Sequence, residues 1–236
     1  MTATGALSIT WYGHGTFLLV SPGGTRIAID PWLTDNPACP ADCKTIDRCD
    51  LILLTHGHSD HIGDVVPVAR ATGAQVVAPN ELGHWLAKKG LKRVSRMNIG
   101  GSQTLAGIRV TMVHAAHSSS TFEEDRLVYL GPATGYVLGF ENGLTAYFAG
   151  DTGLFGDMRL LGEVHHPDIA FLPIGDHFTM GPEDAARACG LLGVRQVVPM
   201  HYGTFPQLTG TPAALRALVE PQGIRVLELK PGETAT

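Results

Sequence analysis

The stretch that most constrains the fold of this chain is the heptapeptide at residues 55–61, which reads THGHSDH. It follows an apolar run at residues 51–54 that is typical of a buried strand, and it precedes a helical pattern at residues 62–70. An α/β fold places its chemistry at the carboxyl end of such a strand. An ordinary turn is built from Gly, Asn, Asp and Pro and has no need of three imidazoles. We therefore interpret the heptapeptide as a metal-binding loop and not as a polar surface loop.

The spacing of the heptapeptide suggests how its side chains divide. In an extended segment, His56, His58 and Asp60 point the same way and His61 points elsewhere. This arrangement predicts two metals side by side. His56 and His58 would bind one metal, and Asp60 and His61 would bind the other.

Three later segments offer the remaining ligands. A third histidine would complete a protein set of three on the first metal and leave a position for water. His114 and His117 compete for that place: His114 continues a predicted strand at residues 109–113, and His117 lies beyond it among small residues. Asp151 follows another predicted strand, where a carboxylate could bridge two cations. His201 follows a strand at residues 196–200 and would complete the set of protein ligands on the second metal.

Six further motifs indicate more specifically which kind of protein this chain resembles. They are residues 11–15 (WYGHG), 29–34 (IDPWLT), 117–120 (HSSS), 150–153 (GDTG), 173–181 (PIGDHFTMG) and 199–206 (PMHYGTFP). Together with the heptapeptide, these motifs resemble the metallo-β-lactamase superfamily, whose signature H-x-H-x-D-H follows a strand. The resemblance is strongest to a subfamily of metal-dependent hydrolases that is similar to the lactonases that open ascorbate phosphate. It covers nearly the whole chain.

The resemblance implies an α/β fold, an αββα sandwich of two mixed sheets with helices outside, formed by one domain over residues 1–236. It favours His117 over His114, because the family's His-Ser-Ser pattern matches His117. The implied ligand sets are His56, His58 and His117 for one metal, Asp60, His61 and His201 for the other, and Asp151 as the bridge. Asp60 could also relay a proton.

The implied reaction is hydrolysis of an ester, a lactone or a phosphoester, with hydroxide drawn from a water that the two metals share. The mixed His and carboxylate set makes zinc the first expectation and leaves manganese, iron and nickel open. A di-iron oxidoreductase and a non-catalytic metal-binding sensor on the same fold are the alternatives. The flavin-linked di-iron members carry Glu where this chain has His58, which favours hydrolysis.

Other residues are assigned to the surroundings of the site. The resemblance places the turn with His14 near the site, so His14 is expected to line the substrate pocket. Asp30 ends a strand and is a candidate partner for a metal-bound histidine, because such histidines donate their second N–H to a carboxylate or carbonyl. Asp176 and His177 lie in a loop that mixes polar, aromatic and thioether side chains, so we expect them to line the substrate pocket, with a proton-transfer role for His177.

Composition and charge limit the kinds of partner that we expect for this chain. The chain has 236 residues and a formal net charge of −5 without a Lys/Arg run, which argues against nucleic acid as the main partner. The N-terminus has no signal-peptide pattern, and no apolar run approaches about 18 residues, so we expect a cytoplasmic protein without membrane association. A small-molecule substrate is expected, and a homo-oligomer is left open. Of the four cysteines, Cys39, Cys43 and Cys49 cluster, and we expect reduced thiols there rather than a structural metal or a disulfide.

The remaining secondary structure follows from ordinary signals. Asn142-Gly143 predicts a hairpin between strands at residues 135–140 and 144–149. Helices are expected at residues 64–72, 81–89, 182–192 and 211–220, the first two closed by Gly73 and Gly90. Residues 121–130 are expected to form a solvated loop, and residues 224–229 the last strand.

Overall fold

The computed structural model describes residues 5–236. In chain order its strands are β1 (Ser8–Trp11), β2 (Phe17–Val20), β3 (Arg26–Ile29), β4 (Leu51–Leu53), β5 (Gln75–Pro79), β6 (Val94–Met97), β7 (Ser102–Leu105), β8 (Ile108–His114), β9 (Ser120–Glu123), β10 (Arg126–Tyr129), β11 (Thr134–Gly139), β12 (Thr145–Phe148), β13 (Ile169–Pro173), β14 (Gln196–Met200), β15 (Arg225–Val226) and β16 (Thr234–Ala235). Its α-helices are α1 (Ser59–Ile62), α2 (Val65–Thr72), α3 (Asn80–Lys88), α4 (Met158–His165), α5 (Pro182–Leu192) and α6 (Pro212–Val219). No helix in this part of the chain has the length and apolar character needed to cross a bilayer.

Two mixed sheets of seven strands each form the centre of the fold. The first has the order β16-β1-β2-β3-β4-β5-β6 and the second the order β15-β14-β13-β12-β11-β8-β7. In the first sheet, β1, β2 and β3 form an antiparallel meander, and β3 to β6 pair in parallel. In the second sheet, β12 to β15 pair in parallel. The predicted mixed sheets are confirmed.

Successive side chains on a strand face opposite sides of its sheet, so each sheet packs against the other sheet on one side and against helices on the other. On β4, Leu51 and Leu53 face the core between the two sheets, and Ile52 faces the opposite side, where α2 and α3 pack. On the second sheet, Ala188 of α5 and Leu215 of α6 join the main core from the outside. The order is therefore helices, sheet, sheet, helices, and the predicted αββα sandwich is confirmed. A single domain over the whole chain stays a prediction.

Several predicted elements differ from the structure. Residues 121–130 are not a solvated loop: they lie mostly in β9 and β10, a separate two-stranded sheet. Its turn residues Glu124 and Asp125 have φ of 46° and 62°, the left-handed conformation that a tight hairpin needs, but neither is glycine. The last predicted strand is only the two residues of β15. Helix α4 and strands β6, β7 and β16 were not predicted.

Candidate metal centre

The heptapeptide lies where β4 ends. Leu54 N donates to Val77 O at 2.9 Å and extends the pairing by one residue. The chain stays extended as far as His58, with φ −71° and ψ 148°, and α1 begins at Ser59. The alternation that we predicted for an extended segment therefore ends at His58, because Asp60 and the following histidine lie in a helical turn. The change of conformation still divides the ligands into two groups.

The first group comprises His56, His58 and His117, whose ligand atoms lie within 4.8 Å of one another. Nε2 of His56 is 3.0 Å from Nδ1 of His58. The other ring nitrogens contact hydroxyl groups: His56 Nδ1 lies 2.9 Å from Thr55 Oγ1, and His58 Nε2 lies 3.2 Å from Ser118 Oγ. These two imidazoles thus present one nitrogen to the group while a neighbour holds the other, as metal-bound histidines usually do.

The second group comprises Asp60, His61, His201 and, in addition, His14. The three histidines are buried, and the Asp60 side chain is 27% exposed. These residues come from three distant parts of the chain: the turn after β1, helix α1 and the end of β14. The second group is therefore assembled by the packing of the two sheets.

The carboxylate of Asp151 joins the two groups. Its Oδ2 atom is 3.0 Å from Nε2 of His201 and 3.4 Å from Nε2 of His61. The same oxygen is 3.7 Å from Nε2 of His117 and 3.9 Å from Nε2 of His56. Two ligands on one tetrahedral zinc ion, each about 2.0–2.1 Å from it, lie about 3.4 Å apart, so these spacings fit ligands around cations. Asp151 Oδ1 and His61 Nε2 are buried without a hydrogen-bond partner, which a cation would satisfy.

Asp30 supports the ligands from behind. Its Oδ1 atom accepts from the Thr55 backbone N–H at 2.8 Å. Its Oδ2 atom accepts from the Thr55 hydroxyl at 2.6 Å and pairs with His61 Nδ1 at 2.8 Å. Asp30 is therefore the carboxylate partner of a candidate metal-binding histidine, as the sequence suggested, and it fixes which His61 nitrogen faces Asp151.

Burial and charge favour metal binding in the first group. Burial lowers the pKa of His56, His58 and His117, so these imidazoles are neutral near neutral pH, which is the form that binds a metal. Burial would raise the pKa of Asp151, but His201 and His61 outweigh it and hold that pKa well below its usual range. The site thus combines neutral imidazoles with an ionised central carboxylate.

The pKa of His61 is shifted in the opposite direction from the pKa values of the three histidines of the first group. Burial opposes a charge on its ring, but Asp151 and then Asp30 outweigh burial and raise its pKa well above the ordinary value. Two carboxylates facing one imidazole therefore concentrate negative charge at the second group. A cation placed there would be attracted by the same charge.

His117 and His114, the two candidates for the third ligand of the first metal, have different surroundings in the structure. His117 belongs to the first group, with its side chain 14% exposed. His114, the last residue of β8, is exposed and its ring lies edge-on to Phe155 with 5.1 Å between centroids. Within residues 5–236, the side-chain groups that could hold a metal include His117 and not His114. The geometry supports His117 as the third ligand.

The expected position of His14 on the pocket wall needs correction. Its side chain is 0% exposed, and both ring nitrogens are engaged: Nε2 with Asp60 Oδ2 and Nδ1 with Thr204 Oγ1, each at 3.0 Å. Burial, and then His201, lower its pKa to about 4. His14 therefore lies behind the ligands, and its ring does not face an open pocket.

Asp176 and His177 are not among the metal-capable groups of residues 5–236. Both are exposed, and their φ angles are 66° and 54°. Consecutive left-handed residues other than glycine are uncommon. The loop is tied to the site by its backbone, because Met180 N donates to the carbonyl of Thr152, the neighbour of Asp151, at 3.0 Å. Both predicted residues are thus exposed on a loop whose backbone is joined to the segment that carries Asp151, and their contact with substrate stays a prediction.

The cysteines take no part in the centre. All four are free thiols, and no metal-capable group of the described chain includes one. Burial raises the pKa of Cys39 and of Cys49 to about 11 and that of Cys189 to about 12. Protonated thiols are poor metal ligands.

Sequence reasoning missed the hydroxyl groups that hold the ligands. Ser119 Oγ accepts from the Gly57 backbone N–H at 3.0 Å, and a Cβ on Gly57 would lie 2.5 Å from Leu130 Cδ1. Thr55 and Ser118 are adjacent in the sequence to His56 and His117, so this position could have indicated that their hydroxyl groups contact ligands. Thr204 carries no such signal, because it is 190 residues from the ring that it contacts.

Two layered sheets with histidines and aspartates gathered at strand ends are the architecture expected of the superfamily that the sequence resembles. A model of the beta-lactamase superfamily domain matches residues 25–202. The chain belongs to this superfamily and, within it, to the UPF0173 metal-dependent hydrolases. The member from Koribacter versatilis is 52% identical over 228 residues, which cover 97% of each chain.

Solved structures agree with this assignment. Igni18, a metallo hydrolase from the hyperthermophilic archaeon Ignicoccus hospitalis, has a TM-score of 0.86 and 38% identity, with 97% of each chain covered. CmlA, a diiron β-hydroxylase from Streptomyces venezuelae, has a TM-score of 0.75 at 15% identity, over 98% of this chain and 54% of its own. The second likeness is to the fold alone.

Proposed function

We propose that this chain binds two divalent cations and hydrolyses an ester, lactone or phosphoester bond in a small molecule. The observation that carries the proposal is the position of Asp151 Oδ2, which lies 3.0–3.9 Å from one nitrogen of each of four histidines drawn from both groups. A carboxylate placed between both groups of ligands would be available to two cations. We assign His56, His58 and His117 to the first cation, Asp60, His61 and His201 to the second, and Asp151 to both.

The chemical types of the ligands also indicate which metal ions the site would bind. Imidazole and carboxylate ligands without thiolate suit zinc, which we propose first, with manganese, iron or nickel as alternatives. Cations held by these residues would supply two effects: they would lower the pKa of a bound water from about 15.7 towards about 7, and they would polarise the oxygen of the bond to be cleaved. The protein's own contribution is to fix the ligands: Asp30 and Thr55 hold His61 and His56 in place.

Asp60 is assigned a second role. Its carboxylate is partly exposed, whereas Asp151 is 3% exposed. Burial would raise the pKa of this carboxyl, but the hydrogen bond from His14 and the nearby His61 outweigh it and lower the pKa, so the group would be ionised, and a partly exposed carboxylate can take up a proton and pass it to solvent. Asp60 would therefore act as a ligand and as a proton relay.

The loop with Asp176 and His177 is assigned to the substrate. Both side chains are exposed on a loop whose backbone is hydrogen-bonded to Thr152, the neighbour of Asp151, and Phe178 beside them is 52% exposed. The backbone conformation there is uncommon, and such residues concentrate at binding sites. The loop thus offers a carboxylate, an imidazole and an aromatic ring to a small molecule.

Metal removal and reconstitution test the proposal. The chain is freed of metal with a chelator, reloaded with zinc, manganese, iron or nickel in turn, and assayed on lactones, carboxylic esters and phosphodiesters. We expect turnover of at least one class that disappears on chelation and returns on reloading. Activity that is indifferent to chelation, or no turnover by any reloaded form, would contradict the proposed function.

The same assay on the His177→Ala variant tests the loop. If His177 moves a proton, turnover on the substrate that the wild type prefers should fall by about 10²–10⁴-fold. The metal content and melting temperature should stay at the wild-type values. His114→Ala, which also removes an exposed histidine, is the matched control. Unchanged turnover with full metal content would remove His177 from the site.

A further inference from the structure

The turn between β1 and β2 contacts every protein ligand that we assign to the second cation alone. It consists of Gly13, His14 and Gly15. Among the hydrogen bonds and ring contacts of residues 5–236, none joins this turn to the three histidines of the first group. The contacts of the turn are therefore specific to one half of the centre.

The ring of His14 orients Asp60. A carboxylate only accepts hydrogen bonds, so His14 Nε2 carries the proton and donates to Asp60 Oδ2 at 3.0 Å. In the neutral ring, Nδ1 then accepts from the hydroxyl of Thr204 at 3.0 Å. Trp32 and Phe205 lie edge-on to the ring, with centroids 5.2 Å and 5.5 Å away. The ring is thus fixed in tautomer and in position, and it leaves the second Asp60 oxygen available.

The backbone of His14 positions His201. The His14 carbonyl accepts from the His201 backbone N–H at 3.1 Å and from the Trp11 indole N–H at 2.9 Å. His201 has a φ of 55°, so the chain turns sharply at this ligand as it leaves β14. The carbonyl holds that turn against the centre. This contact does not depend on the side chain at position 14, so side-chain variants leave it intact.

Gly15 sets the space for His61. A Cβ on Gly15 would lie 2.7 Å from Cε1 and 3.1 Å from Nδ1 of the His61 ring. The φ of Gly15 lies outside the left-handed region, so an alanine there would be resisted by the imidazole and not by its own backbone. The ring cannot simply move away, because Asp30 holds it at 2.8 Å.

From these contacts we infer that the turn of residues 13–15 is a template for the second metal position. His14 is a positioning residue that acts through Asp60 and not a residue that touches substrate. This inference rests on the proposed function, because it presupposes two cations. It predicts that the two cations respond differently to changes in the turn.

Metal titration of variants tests the template. Competition with a chromogenic chelator gives separate affinities for the tighter and weaker cation in the wild type, Gly15→Ala, His14→Ala and His14→Gln. We expect Gly15→Ala and His14→Ala to weaken one cation by about 10–100-fold and to leave the other unchanged. His14→Gln should recover part of the loss, because an amide N–H can still donate to Asp60. Gly156→Ala, where a Cβ would meet nothing within 4 Å, is the matched control.

The outcomes separate this inference from the proposal it rests on. A wild type that binds two cations, with both affinities unchanged in Gly15→Ala and His14→Ala, would overturn the template. Equal weakening of both cations, together with a lower melting temperature of the metal-free chain, would overturn it too. A His14→Gln variant no better than His14→Ala would overturn the donor role of His14. A wild type that binds at most one cation would instead refute the paired site.

Discussion

Replacing Asp151 by Asn is expected to lower metal-dependent hydrolysis by about three orders of magnitude or more. The change preserves the shape of the side chain but removes the charge that Oδ2 brings to four histidine nitrogens within 3.9 Å. A cation supplies several kcal/mol of transition-state stabilisation, and each factor of ten in rate is about 1.4 kcal/mol. The measurement is kcat/KM on the best substrate under saturating metal.

The control for Asp151 is Asp157→Asn. Asp157 precedes α4, is exposed and makes no side-chain capping bond, so its loss of charge should leave turnover within a factor of two or so of the wild type. Retention of more than a tenth of wild-type turnover by Asp151→Asn would show that this carboxylate does not bridge the cations.

Replacing His117 by Ala is expected to abolish measurable hydrolysis, whereas His114→Ala should retain most of it. His117 Nε2 lies 3.7 Å from the central Asp151 oxygen, while His114 is exposed against Phe155. Loss of a residue that only supports a ligand costs about 10–100-fold, so loss of a ligand should cost more. Both variants remove one imidazole from the same segment, which makes each the control for the other.

The measurement for this pair is turnover together with metal content on the same preparations. We expect His117→Ala to lose metal from the first position and His114→Ala to keep it. The reverse pattern would mean that the third ligand is His114 and that the loop after β8 moves when metal binds.

The elements that could be predicted are those whose signals are local. Strands such as β4 are continuous apolar runs, and α2 and α5 end at Gly73 and Gly193 with φ of 70° and 67°, the left-handed conformation that glycine favours. The heptapeptide is equally local, because four candidate ligands fall within six residues. These features follow from the sequence without knowledge of the packing.

The features that could not be predicted depend on contacts between distant segments. The acidic centre of residues 121–130 predicts a solvated loop and gives no sign of the hairpin of β9 and β10, because the left-handed turn residues Glu124 and Asp125 are not the glycine that usually marks such a turn. The contact of His14 with Asp60 spans 46 residues and exists only because the end of β1 meets α1 across the site. No local signal in the sequence therefore indicates that the ring of His14 is buried against Asp60.

The paired centre requires two cations per chain, and metal analysis tests this directly. The metal-free wild type is dialysed to equilibrium against a saturating concentration of zinc, manganese, iron or nickel in turn, and the metal bound per chain is determined as the excess over the free metal in the dialysis buffer. We predict that saturating supply of at least one of these metals gives two bound ions per chain. A content of one ion or fewer with every metal would contradict the paired centre built around Asp151.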